Sequence, residues 1–158
     1  MTNPIYQVDA FTDEVFKGNP AAVVLLDEPA DPAWMLSIAG EMNLSETAFV
    51  HPQGTGYHLR WFTPNVEVDL CGHATLASAH VLWESGIVPP DKGITFFTKS
   101  GRLEVVKDRD GLQMDFPSSK VVQGDLPEEV MAAIGVVPDF IGISGEKWLL
   151  EFEDEFIV

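Results

Sequence analysis

The stretch GHATLASAHVLWES, residues 72–85, constrains most strongly what this chain can fold into. Ala74, Leu76, Ala77, Ala79, Val81, Leu82 and Trp83 cover more than one face of a helix. No lysine, arginine or glycine interrupts the run from His73 to Trp83. A helix apolar nearly all round belongs inside a core, so other elements must surround it. Gly86 stands where a C-terminal glycine would end the helix, with Pro89 and Pro90 just beyond. His80, two turns after His73, is expected to pack in that core as a structural residue.

The surrounding elements read mainly as strands. Alternation from Ile5 predicts an opening strand that ends near Phe11, and KGNP, residues 17–20, reads as a turn. AAVVLL, residues 21–26, is a continuous apolar run of the kind that makes a buried strand. Asp31 as cap and Pro32 as first helical residue open a helix whose apolar face is Met35, Ile38, Ala39 and Met42, ending at Asn43. ETAFV and YHLRWF predict two strands joined by the loop HPQGTG. GITFFTK, RLEVVKD and GLQMDFP predict three more, with turns at Ser100-Gly101 and Asp110-Gly111. LPEEVMAAIG reads as a short helix closed by Gly135, and GEKWLLEFED as a last strand. A length of 158 residues suggests one domain.

Charge narrows the partners. A formal net charge of −16 repels phosphate backbones and anionic lipid, so neither nucleic acid nor a membrane surface is an expected partner. No apolar run approaches the roughly 20 residues of a membrane span. The opening MTNPIYQVDAF lacks the basic and apolar regions of a signal peptide, and a single cysteine forms no internal disulfide. The expectation is a cytoplasmic protein.

Three features carry chemistry. Cys71 stands just before the apolar helix with His73 two residues on, an arrangement that suits either a thiol activated by a helix start and an imidazole or a small buried residue. A metal site is not expected, because Cys71 and His73 offer two ligands where tetrahedral zinc takes three or four. The helix start at Gly72 permits close backbone approach and presents bare N–H groups to a carboxylate or phosphate. Glu46, after Ser45 at the entry to a strand, is either a partly buried proton-transfer group or a solvated edge residue beside a capping serine. On the residues alone the solvated reading of Glu46 is favoured, since buried glutamate is rare. Trp61 and Phe62 suit a core, or the wall of a site for a flat ligand.

VDAFT, GNPAAVV, EMNLSETAFV, RWFTP and CGHATLASAHVL occur in that order. The ordered set resembles the PhzF-like family of phenazine biosynthesis, relatives of diaminopimelate epimerase. The resemblance implies an α+β fold, with a mixed sheet wrapped around a central apolar helix that begins at Gly72. It implies two such domains with the active site in the cleft between them. Glu46 would be the catalytic general acid/base of a cofactor-free isomerisation of a small carboxylate substrate. His73 would be a substrate contact or proton partner. Gly72 and the helix start would bind a carboxylate, and Asn19 and Ser45 would complete the substrate-binding set. Cys71 falls where the epimerase relatives carry one of two catalytic cysteines. This chain has no second cysteine, so Cys71 is expected only to line the cleft.

PhzF-like proteins are nearly twice as long. Residues 1–158 are therefore expected to be the first domain with the start of the crossing to a second. The chain would either be part of a longer protein or pair as a homodimer to supply the other half. Two further readings remain: a non-catalytic binding or assembly domain, and a cysteine hydrolase using Cys71 and His73, which would be rapidly inactivated by iodoacetamide.

Overall fold

In the computed structural model, which describes residues 2–109, 111–116 and 118–157, alternate side chains of the same strands face two different helices. The elements of the first compact unit, Met1–Phe116, run β1 (Ile5–Ala10), β2 (Asn19–Leu25), α1 (Pro32–Met42), β3 (Glu46–Gln53), β4 (Gly56–Phe62), β5 (Glu67–Val68), α2 (Gly72–Glu84), β6 (Ile94–Thr98), β7 (Gly101–Lys107) and β8 (Leu112–Asp115). They form one mixed sheet in the order β1-β2-β3-β4-β6-β7-β8, with β5 paired to β4. The pairs β2/β3 and β4/β6 are parallel. Each of these crossovers carries a helix, α1 and α2 respectively, as parallel neighbours require.

Val23, Ala48 and Trp61 pack with α2, while Val24, Phe49 and Phe62 pack with α1. Strands covered on both faces become continuous apolar runs, which accounts for AAVV and TAFV. Residues of β2, β3, β4, β6 and β7 all join the α2 cluster. The sheet therefore curls around α2, in which nine of the thirteen residues are buried. Its buried hydroxyls are satisfied within the helix, Thr75 donating to the Cys71 carbonyl at 2.5 Å and Ser78 to the Ala74 carbonyl at 2.6 Å. The α+β architecture implied by the resemblance is the one observed.

Local signals behave as their chemistry dictates. The Asp31 carboxylate accepts from the Ala33 and Trp34 N–H groups, at 2.9 and 3.1 Å. Asn43 closes α1 in the left-handed region at φ 51°. Gly18 has φ +80°, and a Cβ there would lie 2.3 Å from the Ala10 carbonyl oxygen, so this position requires glycine.

Several expectations are corrected. Only part of KGNP is a turn: Asn19 and Pro20 already belong to β2. Proline is tolerated there because the pairing of β2 with β3 begins at Ala21. The loop HPQGTG shrinks to a two-residue turn at Gly54-Thr55, since Gln53 pairs with Gly56. Trp61 and Phe62 are core residues, 1% and 2% exposed. His80 is exposed, not packed in the core. It follows Leu76 by one turn on the one stripe of α2 that the sheet leaves open, and it borders a hollow of about 600 Å³ lined also by Val8, Asp9 and Leu112. The turn expected at Asp110-Gly111 has its first residue outside the described ones.

The second unit, Pro117–Val158, holds β9 (Val122–Gln123), α3 (Glu128–Ile134), β10 (Phe140–Ser144) and β11 (Lys147–Glu151), with a 3₁₀ turn at Glu155–Ile157. The three strands form an antiparallel sheet in the order β11-β10-β9. Gly135 ends α3 in the left-handed region, as expected. The strand β10 was not anticipated, because Gly142 breaks its apolar run. Among the described residues no helix is long and apolar enough to cross a membrane.

An ionic clasp fixes the segment that leads into α2. Arg60 donates to both oxygens of Glu67, at 2.7 and 2.9 Å, and Lys99 donates to the second at 2.6 Å. Beside it Ser100 donates to the Asp69 carbonyl at 2.6 Å. The Arg60 hydrogen bonds, with Lys99 adding to them, hold the Glu67 carboxyl at about 2, below its ordinary 4.5. A depressed folded-state value stabilises the fold above the unfolded value and loses that stabilisation as the pH falls through the folded one. Solvent reaches the clasp and screens it, so Glu67→Gln is expected to cost about 1 kcal/mol in urea unfolding at neutral pH. The difference from wild type should close as the pH falls from about 4.5 towards about 2. An unchanged gap across that window would show that the carboxylate charge is not what matters.

Candidate active site

The face of β3 that packs on α2 carries Ala48 and Val50. Period-two alternation puts Glu46 on the same face, one step beyond the last buried residue at the strand's start. Helix α2 begins at this end of the sheet. The Glu46 side chain is 21% exposed and its Oε2 lies 3.3 Å from His73 Nε2, while the His73 ring is 8% exposed. Ser45, itself exposed, places its Oγ 3.4 Å from the same nitrogen. The other ring nitrogen, Nδ1, lies 3.4 Å from the Cys71 sulfur. Residues 45 and 73 are 28 positions apart, yet imidazole, carboxylate, hydroxyl and thiol form one chain of contacts.

Asn19 opens β2 as Glu46 opens β3, with Ala21 paired to Glu46. Asn19 thus shares the inner face and the same sheet end, but among the described residues no hydrogen bond joins its side chain to the cluster. Gly72 is the first residue of α2, and the N-cap residue Cys71 makes no side-chain capping hydrogen bond. The close neighbour that glycine admits is the Phe116 ring, which a Cβ would approach to 3.3 Å, with Met114 next at 4.0 Å. The packing of Gly72 against β8 and Phe116 was missed, since nothing in the sequence ties residue 72 to residues 114 and 116. The hollow beside His80 contains neither Glu46 nor His73. The Glu46 carboxylate instead stays partly open to solvent while the His73 ring is buried.

Folding supplies the third metal donor that spacing does not: donor atoms of Glu46, Cys71 and His73 lie within 4.8 Å of one another. His73, however, meets the thiol with Nδ1 and the carboxylate with Nε2. Those lone pairs diverge, so a single ion bound to one nitrogen is turned away from the ligand at the other. The arrangement fits a hydrogen-bonded chain better than a coordination site.

Burial pushes the Cys71 thiol up to about 12, with the Glu46 charge adding to the rise and the nearby Ala74 N–H offsetting part of it. Thiolate is the reactive form, so this burial works against Cys71 as the nucleophile that a cysteine hydrolase needs. Iodoacetamide at neutral pH is expected to alkylate it at least about 100-fold more slowly than an unhindered thiol. Since Cys71 is the chain's one cysteine, whole-protein mass spectrometry against time reads this directly, and labelling at the rate of a free thiol would contradict the buried geometry.

Residues 8–136 match a protein family described as phenazine biosynthesis-like, PhzC-PhzF. An uncharacterized isomerase of Halalkalibacterium halodurans is 53% identical over 98% of this chain and 59% of its own length. The crystal structure of a PhzF-family phenazine biosynthesis protein from Enterococcus faecalis superposes with a TM-score of 0.88, at 44% identity, over 100% of this chain and 60% of the other. A predicted epimerase of Pseudomonas aeruginosa, 21% identical with a TM-score of 0.73 over 90% of this chain and 56% of its own, shares the fold. The chain thus spans about six tenths of the length of these relatives.

Proposed function

We propose that this chain, which belongs to the phenazine biosynthesis-like PhzC-PhzF family, carries the acid/base half of an isomerase that moves a proton within a small carboxylate substrate. The observation that carries the reading is the Glu46–His73 pair, a partly exposed carboxylate 3.3 Å from a buried imidazole at the start of a helix. That a close relative is named an isomerase supports it.

In this reading Glu46, as the carboxylate, removes a proton from an acidic carbon of the substrate. The C–H bond breaks, its electron pair is delocalised towards the substrate's own unsaturated or carboxylate group, and the proton rests on Glu46. Delivery of that proton to another carbon, or to the opposite face of the same one, completes an isomerisation or epimerisation. No electron is gained or lost and no cofactor is called for. A single residue serves both steps when it can hold and release the proton. The first-turn N–H groups of Gly72 and His73 favour the substrate's carboxylate, and Ser45 and Asn19 complete the substrate-binding set.

The partly exposed Glu46 carboxylate needs a second wall to exclude water. We assign residues 1–158 to the first domain, with the start of the crossing to a second, of a two-domain architecture whose second wall is supplied by further chain of the same protein or by a second copy. A cytoplasmic setting suits one cysteine and a net charge of −16. The test is incubation with small amino, keto and unsaturated carboxylates in D₂O, with the assembly mass read by light scattering at the same concentration. Deuterium appearing at carbon is the expected result. Ligand uptake without exchange would favour instead a binding or assembly domain, the reading to which the partly exposed carboxylate also lends itself.

A further inference from the structure

The Cys71 thiol is buried against His73 and has no place in the proton transfer itself. We infer that Cys71 is a positioning residue that donates its S–H to His73 Nδ1 and so fixes the imidazole as the Nε2–H tautomer, aimed at Glu46. The inference deepens, and rests on, the reading of Glu46 and His73 as a working pair.

A neutral imidazole has one donor nitrogen and one acceptor nitrogen, and a carboxylate only accepts. His73 Nε2 faces Glu46 Oε2 at 3.3 Å. With hydrogen on Nε2 that contact is a charge-assisted hydrogen bond. With hydrogen on Nδ1, two sets of lone pairs would face each other. The Nε2–H form leaves Nδ1 as a bare acceptor inside the core, where an unpaired polar atom is costly. The group 3.4 Å from it is the Cys71 sulfur, which burial keeps as S–H. The alternative, an Nδ1–H donating to sulfur, would use a weak acceptor and forfeit the Glu46 bond.

Backbone geometry makes the contact available. Cys71 is the N-cap of α2, extended at φ −146° and ψ 117°. With this extended backbone before the first helical residues, the side chains at positions 71 and 73 meet at 3.4 Å. Ser45, 3.4 Å from Nε2, can share the Nε2–H but has no access to Nδ1 through any described hydrogen bond. Cys71 therefore holds the tautomer from behind while Glu46 and Ser45 use it in front. A residue that orients the partner of an acid/base group acts as the orienting third member does in nucleophile–base–orienter constellations.

The test needs no substrate. Long-range ¹H–¹⁵N correlation spectra of the uniformly labelled chain distinguish the two tautomers of His73 by the shifts of its ring nitrogens. The expected wild-type result is a protonated Nε2 and an unprotonated Nδ1. Cys71→Ala removes one hydrogen bond to Nδ1 and should move the tautomer ratio roughly fivefold to tenfold towards Nδ1–H. Cys71→Ser, whose hydroxyl can donate in place of the thiol, should restore the wild-type ratio. A merely space-filling role predicts no change in the ratio for alanine and no rescue specific to serine. A wild-type ring protonated on Nδ1, or a ratio indifferent to Cys71→Ala, overturns the proposal. Should Cys71→Ala not fold, Cys71→Val, which fills similar space without a donor, carries the same test with the same expected shift. Because the spectrum requires no turnover, this inference can fail while Glu46 still proves essential for exchange, and the reverse result is equally readable.

Discussion

Glu46→Gln is expected to lower the rate of solvent-deuterium incorporation by about 10²–10⁴-fold, the range that a positioned acid/base group supplies. Glutamine keeps the size of glutamate and an oxygen that can accept from His73 Nε2, so the 3.3 Å contact can survive the change. What is lost is the site on which the abstracted proton rests. The variant should therefore unfold at the same urea concentration as wild type and bind a substrate carboxylate with little change, separating chemistry from folding and from binding. Ser45→Ala should cost much less, because Ser45 is exposed and touches the ring nitrogen at 3.4 Å without standing in the path of the proton. Full exchange by Glu46→Gln would remove the central residue of the proposed function.

The same position shows how far the sequence reaches. The residues taken alone pointed to a solvated glutamate beside a capping serine. What that reading lacked was the start of β3 coming to the start of α2, a contact across 27 positions that no periodicity encodes. The resemblance to a family named Glu46 and His73 together, and the structure places them 3.3 Å apart. Local features were legible because their causes are local: the Asp31 cap, the Asn43 stop, the Gly135 stop and the continuous apolar runs of β2 and β3 each follow from side-chain chemistry within a few residues.

What escaped was set by neighbours distant in sequence. His80 lies in an apolar run, but its exposure depends on which stripe of α2 the sheet leaves uncovered, and Leu76 and His80 fall there together. The role of Gly72 depends on Phe116, whose ring a Cβ would meet at 3.3 Å. Cys71 read as a passive wall of the cleft, since its contact with His73 is made from the extended N-cap backbone. In β10 a glycine hid a strand whose identity comes from pairing with β11 and β9 on its two sides.

Trp61→Ala is the substitution expected to cost most in stability. Trp61 is 1% exposed and among the largest fully buried side chains of the chain. It stands on β4 opposite Val68 of β5, on the face that packs with α2. Truncating so large a buried aromatic leaves a cavity and costs about 3–5 kcal/mol, a large share of the roughly 5–15 kcal/mol that holds a domain together. Trp61→Phe isolates the cause. The indole N–H has no hydrogen-bond partner among the described residues, so phenylalanine forfeits volume but no bond and should cost about half as much as alanine or less. Urea unfolding followed by far-ultraviolet circular dichroism reads both variants. A small loss for alanine would mean that the β4 face does not support α2. A large loss for phenylalanine would mean that the indole nitrogen matters after all. If the expected order holds, Trp61→Ala should also weaken the site without touching it, because the support lost is that of the helix whose first turn presents His73 to Glu46.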